Sequence, residues 1–297
     1  MQTKCNVCGS NKIVDIFKSV NVHGRHLISD KEKFAVSRCE NCDAVFLGNI
    51  KVDKEYYKKY YELGYYDQTG VKSGSLLEKL LAFFSKLSIQ RKERLMRRYI
   101  NKKKGKISIL DIGCGSGNFL LNLDSSKFDR FGTEINKEGF EISKKRGLHM
   151  FFGDLGKIDF GKKKFNVVSL WQVLEHVKEP RKLMRAVNRV LSPDGTLIFQ
   201  VPNTNGFGFK IGKKNWFHLD SPRHLILYNP KSVATLCAAT GFQVVRIVNE
   251  FYDYPLDLFW SVRSSLLKFL IYPLYPIFKL FSSEHLTYVC TKNNINA

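Results

Sequence analysis

The sequence predicts an α/β fold, in which a parallel sheet follows a small cysteine-rich module. Short apolar segments alternate with helix-like segments between residues 106 and 249. A glycine-rich turn lies inside the stretch ILDIGCGSGNFL at residues 109–120, and two C-x-x-C pairs precede the whole arrangement. Repeated strand–helix units imply a parallel sheet whose ligands bind at the carboxyl ends of the strands.

The elements follow from apolar spacing and from capping residues. The predicted strands, in chain order, are 106–113, 128–135, 148–154, 164–171, 195–202, 242–250 and 285–292. The predicted helices are about 75–100, 136–147, 179–191 and 229–241. Asn136 is the expected cap of the second helix and Gly147 closes it, while Asn229 caps the last helix and Pro230 stands in its first turn.

The N-terminal module, residues 1–50, carries Cys5-x-x-Cys8 and Cys39-x-x-Cys42, and it is called the cysteine module below. Each pair forms a knuckle, and two knuckles complete a tetrahedral thiolate cage for a structural Zn²⁺ ion. The alternative is four unligated thiols. The first residues contain no apolar signal segment, so we expect a cytoplasmic protein with reduced cysteines.

A tyrosine-rich linker spans residues 51–75, and charge is concentrated just beyond it. EYYKKYYELGYYD at 55–67 is interpreted either as packing between the module and the main domain or as a ligand surface. The chain has a formal net charge of +21, and residues 61–106 hold 12 Lys/Arg against 4 Asp/Glu. This block is either a solvated helix face or a surface for nucleic acid, anionic lipid or a phosphorylated substrate.

The glycine loop favours a cofactor with an amine end over a dinucleotide. Its glycines are Gly113, Gly115 and Gly117, and Asn118 stands where a dinucleotide loop needs its third glycine. Asp111 before the loop would repel a diphosphate but suits an ammonium group. A plain strand-to-helix turn is the alternative.

Carboxylates also end the next two predicted strands. Glu134 lies twenty-one residues after Gly113 and suits two ribose hydroxyls, and Asp154 suits an exocyclic amine. The fourth strand ends at Trp171, followed by Gln172-Val173-Leu174-Glu175-His176. Side chains that can bind an amine, a ribose and an adenine indicate that the ligand is a nucleoside bearing an amino acid.

Residues 76–292 resemble the class I S-adenosylmethionine-dependent methyltransferases. ILDIGCGSG is similar to their first motif, GTEI to their acidic second strand end, FFGDL to their adenine segment, and LWQVLEHV to their fourth-strand motif. The resemblance implies a Rossmann-like sheet that is mostly parallel, with its last strand antiparallel, in a domain spanning residues 76–297. The layout with a zinc ribbon further resembles methyltransferases of sugar and surface-polysaccharide pathways.

The resemblance assigns roles to the residues singled out above. S-adenosylmethionine is the implied cofactor, with the three loop glycines near its methionine part and Glu134 at its ribose. Asp154 and the amide of Leu155 hold the adenine. Asp111 and Trp171 complete the expected cofactor contacts.

Three histidines are candidates for the base that deprotonates an acceptor hydroxyl: His176, His218 and His224. His176 lies just past the fourth strand, where it either acts in catalysis or orients the turn. The other two lie in KKNWFHLDSPRHLILYNP, residues 213–230, whose aromatic, acidic and basic side chains suggest a pocket for a polar ligand. Arg223 in this segment is expected to bind an acidic or phosphorylated acceptor.

An apolar insertion at residues 251–283 separates the two late strands. It is interrupted by Arg263, Lys268, Lys279, Pro273 and Pro276, so it is not expected to cross a membrane. It is either a lid or dimer face, or a peripheral contact with the inner face of the membrane.

The preferred function is methylation, most simply O-methylation, of a saccharide linked to a nucleotide or a lipid. The alternative is an RNA methyltransferase that uses the cysteine module and the basic block to bind rRNA or tRNA. LWQVLEHV lacks the N/D-P-P-Y/F-type turn of enzymes that methylate exocyclic base amines, which weakens that alternative. A non-catalytic nucleic-acid-binding protein would leave the cofactor residues without a role.

Overall fold

The computed structural model describes residues 4–20, 32–48, 50–61, 76–100, 105–249, 257–261, 268, 272–274, 277 and 283–293. Its strands are β1 (Ile13–Val20), β2 (Lys33–Cys39), β3 (Val45–Leu47), β4 (Ile107–Ile112), β5 (Phe128–Glu134), β6 (His149–Phe152), β7 (Phe165–Trp171), β8 (Leu191–Pro202), β9 (Ile226–Leu227), β10 (Phe242–Asn249) and β11 (His285–Lys292). Its helices are α1 (Lys54–Tyr61), α2 (Leu76–Tyr99), α3 (Asn118–Asn122), α4 (Lys137–Lys145), α5 (Pro180–Val190), α6 (Phe207–Gly212), α7 (Pro230–Ala238) and α8 (Asp257–Ser261).

The main sheet has seven strands in the order β10-β11-β8-β7-β4-β5-β6. The neighbours β8, β7, β4, β5 and β6 are parallel, whereas β11 is antiparallel to both β8 and β10. The predicted Rossmann-like methyltransferase sheet with a reversed last strand is therefore confirmed.

The central strands are buried on both faces, as their near-continuous apolar sequences require. Leu110 of β4 and Val168 of β7 pack in one layer, and Ile109 and Val167 pack in the layer on the opposite face. All four are fully buried. Burial of each such side chain contributes about 1.5–3 kcal/mol, so the rigid centre of the sheet fixes where β4 and β7 end.

Two predicted caps are present. The Asn136 side chain accepts a hydrogen bond from the Gly139 amide at the start of α4. At the start of α7, Asn229 and Ser232 each accept a hydrogen bond from the other's backbone amide, which forms a capping box. Each cap is worth about 1 kcal/mol and fixes the boundary of its helix.

A second sheet joins the cysteine module to the 213–230 segment. Its order is β1-β2-β3-β9, and Val45 and Phe46 of β3 lie opposite Leu227 and Ile226 of β9. From α1, the hydroxyl of buried Tyr56 donates to the Pro222 carbonyl at 3.0 Å. The module is thus packed against the segment that the sequence assigns to the acceptor side of the site.

Candidate active site

The glycine loop links β4 to α3, and its backbone conformation requires glycine. Gly113, Gly115 and Gly117 have φ angles of 64°, 56° and 78°, in the left-handed region. A Cβ atom on Gly113 would lie 2.8 Å from Cγ2 of Val173. The loop therefore offers bare backbone at the carboxyl end of β4, which a ligand can approach closely.

Asp111 lies at the end of β4, beneath this loop. Its carboxylate is buried and accepts a 2.6 Å hydrogen bond from the Ser169 hydroxyl on neighbouring β7. Burial raises the pKa of Asp111 to about 7, although the Ser169 bond and the charge of Lys92 act in the opposite direction. Its contact with the amine of a cofactor stays a prediction.

Glu134 ends β5 and holds the glycine loop. Its Oε2 accepts from the Gly115 amide at 2.8 Å, and its Oε1 accepts from the amides of Ile135 and Asn136, each at 2.8 Å. A carboxylate oxygen has two lone pairs, so Oε2 can accept one further donor. This geometry is compatible with the predicted ribose contact and adds a structural role that the sequence did not reveal.

The remaining predicted cofactor residues lie along the same edge of the sheet. Asp154 is exposed and accepts from the Gly156 amide at 2.9 Å, whereas Leu155 is buried. Trp171, at the end of β7, packs edge-on against Phe119 with ring centroids 5.1 Å apart. These positions, the glycine cradle and the Glu134 carboxylate fit S-adenosylmethionine, and the individual contacts stay predictions.

Beyond β7 the chain turns sharply into a one-turn 3-10 helix, Leu174–His176. Gln172 has a φ of 57°, which is strained for a residue with a side chain. Its Nε2 is buried and has no hydrogen-bond partner in the described part of the chain. Strain and an unused donor at a strand end are typical of functional sites.

Glu175, His176 and His224 form a group called the Glu175 cluster below. One nitrogen or oxygen atom from each lies within 4.8 Å of the other two. Burial raises the pKa of Glu175 to about 8, and burial lowers that of His176 to about 3. At neutral pH, therefore, His176 is a neutral imidazole. These three side chains could hold a metal ion or accept a proton.

Hydrogen bonds to neighbouring segments hold the Glu175 cluster in place. Nδ1 of His176 lies 3.0 Å from the Tyr61 hydroxyl and 3.1 Å from the Arg223 carbonyl, and Nδ1 of His224 lies 2.7 Å from the His218 carbonyl. The backbone of Glu175 accepts from the Leu225 amide at 2.8 Å. Folding of the 213–230 segment over the end of β7 thus brings His176 and His224 together.

His218 lies in a different cluster. Its Nε2 is 3.1 Å from Asp257 Oδ2 on α8, and its ring centroid is 4.1 Å from that of His285. All three side chains are buried. The catalytic roles of His176, His218 and His224 stay predictions, but only His176 and His224 share the Glu175 cluster.

The expected polar-ligand pocket does not include two of the aromatic residues of the 213–230 segment. Trp216 and Tyr228 are fully buried. The Trp216 indole donates to Glu284 at 2.7 Å, and the Tyr228 hydroxyl donates to the Leu174 carbonyl at 3.3 Å. Their polar atoms are satisfied inside the protein, so these rings serve as core. Arg223 donates to Asp220 at 2.7 Å, rather than projecting alone into solvent.

The four cysteines of the cysteine module converge as their spacing predicts. Sγ–Sγ distances are 3.7 Å between Cys5 and Cys42 and 3.5 Å between Cys8 and Cys39. Four thiolates about 2.3 Å from one Zn²⁺ ion lie about 3.8 Å apart in a tetrahedron. The cluster is therefore compatible with a structural zinc ion.

Most of the apolar insertion at 251–283 lies outside the described residues. Its role as a lid, a dimer face or a membrane contact therefore stays a prediction. Among its described side chains, Trp260, Leu274 and Ile277 are exposed. Within the described chain, no helix has the length and apolarity needed to span a bilayer.

Two residues of this site were not proposed from the sequence as site residues: Glu175 and Gln172. Both stand in LWQVLEHV, the motif that ends the fourth predicted strand. A carboxylate directly beside a candidate catalytic histidine was the available signal. Its burial depends on the distant 213–230 segment and could not be inferred locally.

Comparison with known proteins agrees with this geometry. Residues 79–247 match the family model described as "Methyltransferase domain". An uncharacterized protein of Methanocaldococcus jannaschii is 32% identical over 201 residues, which are 65% of this chain and 75% of that protein. The ubiquinone biosynthesis O-methyltransferase of Salmonella paratyphi A is 25% identical over 118 residues, and the match spans about half (49%) of that protein's length.

A solved structure has the same fold. Magnesium protoporphyrin IX methyltransferase from Synechocystis PCC 6803, determined with bound SAH, superposes with a TM-score of 0.55 at 13% identity. The superposition covers 81% of this chain and 100% of the other.

Proposed function

Because the chain belongs to the methyltransferase domain family and is an S-adenosylmethionine-dependent methyltransferase, we propose that it methylates a hydroxyl of a saccharide linked to a nucleotide or a lipid. The observation that carries the proposal is the Glu175 cluster, which follows β7 directly beside the glycine loop. A hydroxyl group has a high pKa, so its methylation needs a device that removes its proton.

In the proposed reaction, the cofactor supplies the methyl group, and the residues of the chain position and deprotonate the acceptor. When bound, S-adenosylmethionine supplies a methyl group on a sulfonium sulfur. The chain aligns the acceptor oxygen with that methyl group, and alignment of this kind lowers a barrier by about 7–11 kcal/mol. A neutral imidazole of the Glu175 cluster, His176 or His224, takes the hydroxyl proton, a contribution of about 10²–10⁴-fold in rate.

The polarity around the cluster supports a polyhydroxyl acceptor. Tyr61, Gln172 and His176 are all half-buried and carry hydroxyl, amide and imidazole groups. Such groups can hydrogen-bond to the hydroxyls of a sugar, whereas a wholly apolar ring would offer them no hydrogen-bond partner. Relatives named as ubiquinone biosynthesis O-methyltransferases support methylation at oxygen.

The cysteine module holds Zn²⁺ and supports the acceptor side in this proposal. Its metal supplies on the order of 10 kcal/mol to the folding of the module. Because β3 pairs with β9, folding of the module also holds the 213–230 segment in place. A zinc ion bound by four thiolates has no open position, so it takes no part in catalysis.

The deciding experiment follows the methyl group. Purified zinc-loaded protein is incubated with methyl-labelled S-adenosylmethionine and an extract of its source cells, with the double variant His176→Gln/His224→Gln as the inactive control. We expect label in a nucleotide-sugar or lipid-linked saccharide fraction with the wild type only. Label in RNA or in a quinone fraction would overturn the saccharide proposal, and RNA would favour the alternative function.

A further inference from the structure

The carboxyl group of Glu175 is buried and has no hydrogen-bond partner in the described part of the chain. Its side chain is 0% exposed, and neither Oε1 nor Oε2 has a hydrogen-bond partner among the described residues. Proteins retain a buried carboxylate where it is paired, hydrogen-bonded or bound to a metal ion. Within the described chain, its neighbours include the two imidazoles of its own cluster and the carboxylate of Asp220, whose Oδ2 lies 3.8 Å from Nε2 of His224. Two carboxyl groups beside two imidazoles favour a missing cation over a missing donor.

Both imidazoles are oriented as metal-binding imidazoles are. A carbonyl oxygen only accepts hydrogen bonds, so the His218 carbonyl assigns the proton of His224 to Nδ1. Nδ1 of His176 faces the Arg223 carbonyl and the Tyr61 hydroxyl, and because that hydroxyl can donate to the same carbonyl, the arrangement accommodates a proton on Nδ1 here too. The lone pair of each ring is then on Nε2. A histidine that binds metal through one nitrogen usually donates its other N–H to a carbonyl or carboxylate.

The spacing of the three side chains suits one ion. Their ligand atoms lie within 4.8 Å of one another. Two donors held about 2.1 Å from a common ion are about 3–4 Å apart, so closure requires movements of less than about 1 Å. His176 is partly exposed, which provides a path from solvent for the ion.

We propose that Glu175, His176 and His224 bind one divalent cation through a carboxylate oxygen and two imidazole nitrogens. This ligand set takes Mn²⁺, Fe²⁺, Co²⁺ or Zn²⁺ and leaves positions open for other ligands. The site is separate from the four thiolates of the cysteine module, which select zinc. Metal binding itself does not depend on the identity of the acceptor.

The role of the cation rests on the proposed function. A cation beside an acceptor hydroxyl lowers the pKa of that hydroxyl. The O–H bond then breaks with loss of the proton to water, and the oxygen attacks the methyl carbon as the S–CH₃ bond breaks. With the cation bound, His176 and His224 act as ligands and the proton leaves to water; in the protein without the cation, a neutral imidazole takes the proton.

Manganese provides a selective probe, because it prefers oxygen and nitrogen to sulfur. Protein carrying one equivalent of zinc is titrated with MnCl₂, and free Mn²⁺ is followed by electron paramagnetic resonance. We expect about one Mn²⁺ site per chain and a rise in the melting temperature. Glu175→Gln and His224→Gln should each weaken binding at least tenfold, with the zinc content unchanged.

His149→Gln is the matched control. His149 lies on β6, is exposed and stacks on Phe131, so its replacement should leave manganese binding unchanged. Circular dichroism checks that each variant is folded, and His176→Gln replaces any variant that is not. No binding to the wild type, or undiminished binding to both Glu175→Gln and His224→Gln, would overturn the site.

The manganese-binding assay and the methyl-acceptor assay test separate claims, so either one can fail without the other. Manganese binding together with label in RNA would keep the cation site and reject the saccharide. Label in a saccharide together with no bound cation would keep the proposed function and reject the site.

Discussion

Replacement of Gly113 by alanine tests the geometry of the cofactor loop. Two costs add in this variant. Alanine at a φ of 64° costs about 1–2 kcal/mol because of the left-handed backbone. The new Cβ would lie 2.8 Å from Cγ2 of Val173, and overpacking of this kind costs about 1–3 kcal/mol. We therefore expect the free energy of unfolding to fall by about 2–5 kcal/mol.

Gly147→Ala separates the two costs. Gly147 has a φ of 84°, and a Cβ added there would have no neighbouring atom within 4 Å, so this variant should lose only the backbone term. Val173 is β-branched and its χ1 is stiff, so it cannot swing away from the new methyl group. Adding Val173→Ala to Gly113→Ala should therefore recover about 1–3 kcal/mol relative to the sum of the two single changes.

The assay is urea unfolding of the protein without cofactor, combined with calorimetric titration of S-adenosylhomocysteine. Gly113→Ala should also lose affinity for the ligand, whereas Gly147→Ala should keep it. Equal losses of stability in Gly113→Ala and Gly147→Ala would refute the close approach of Val173 to the loop.

Three further predictions address other parts of the molecule. Cys39→Ser should abolish zinc binding and expose the cysteine module to limited proteolysis, because on the order of 10 kcal/mol of metal-dependent folding energy is lost; a resistant, zinc-free variant would contradict this. Asp111 has a raised pKa of about 7, so the folded state keeps a proton that the unfolded state has lost. The contribution of Asp111 to stability should consequently fall as pH rises from about 4 to about 7, by up to about 1.4 kcal/mol per pH unit. Urea unfolding of Asp111→Asn should show a flatter dependence, and an unchanged slope would show that another group is responsible. Deletion of residues 256–281, which include exposed Trp260, should reduce co-sedimentation with anionic vesicles, and unchanged sedimentation would exclude this segment as the membrane contact.

The main sheet could be predicted because its signals are local. The central strands β4 and β7 are mostly apolar runs, and each of the helices α4 and α7 has a capping asparagine. The glycine loop is equally local, since its glycine spacing and the preceding Asp111 favour an amine-bearing cofactor over a dinucleotide. These features depend on neighbours within a few residues in the chain.

The features that were missed depend on distant contacts. β9 has only two residues, and nothing in Ile226–Leu227 indicates that it pairs with β3. Glu175 is buried because Leu225 and the rest of the 213–230 segment fold over it. Trp216 has a partner inside the protein, Glu284, from far along the chain. A polar aromatic residue in a loop therefore looked like a ligand surface although it belongs to the core.

The position of the transferred methyl group tests the central claim most directly. ¹³C-methyl-labelled S-adenosylmethionine is turned over with the acceptor fraction, and the product is examined by two-dimensional NMR. We predict a methyl carbon bonded to oxygen, with a through-bond correlation to a sugar ring carbon. A methyl group on nitrogen, or on a carbon atom, would contradict activation of a hydroxyl by the Glu175 cluster.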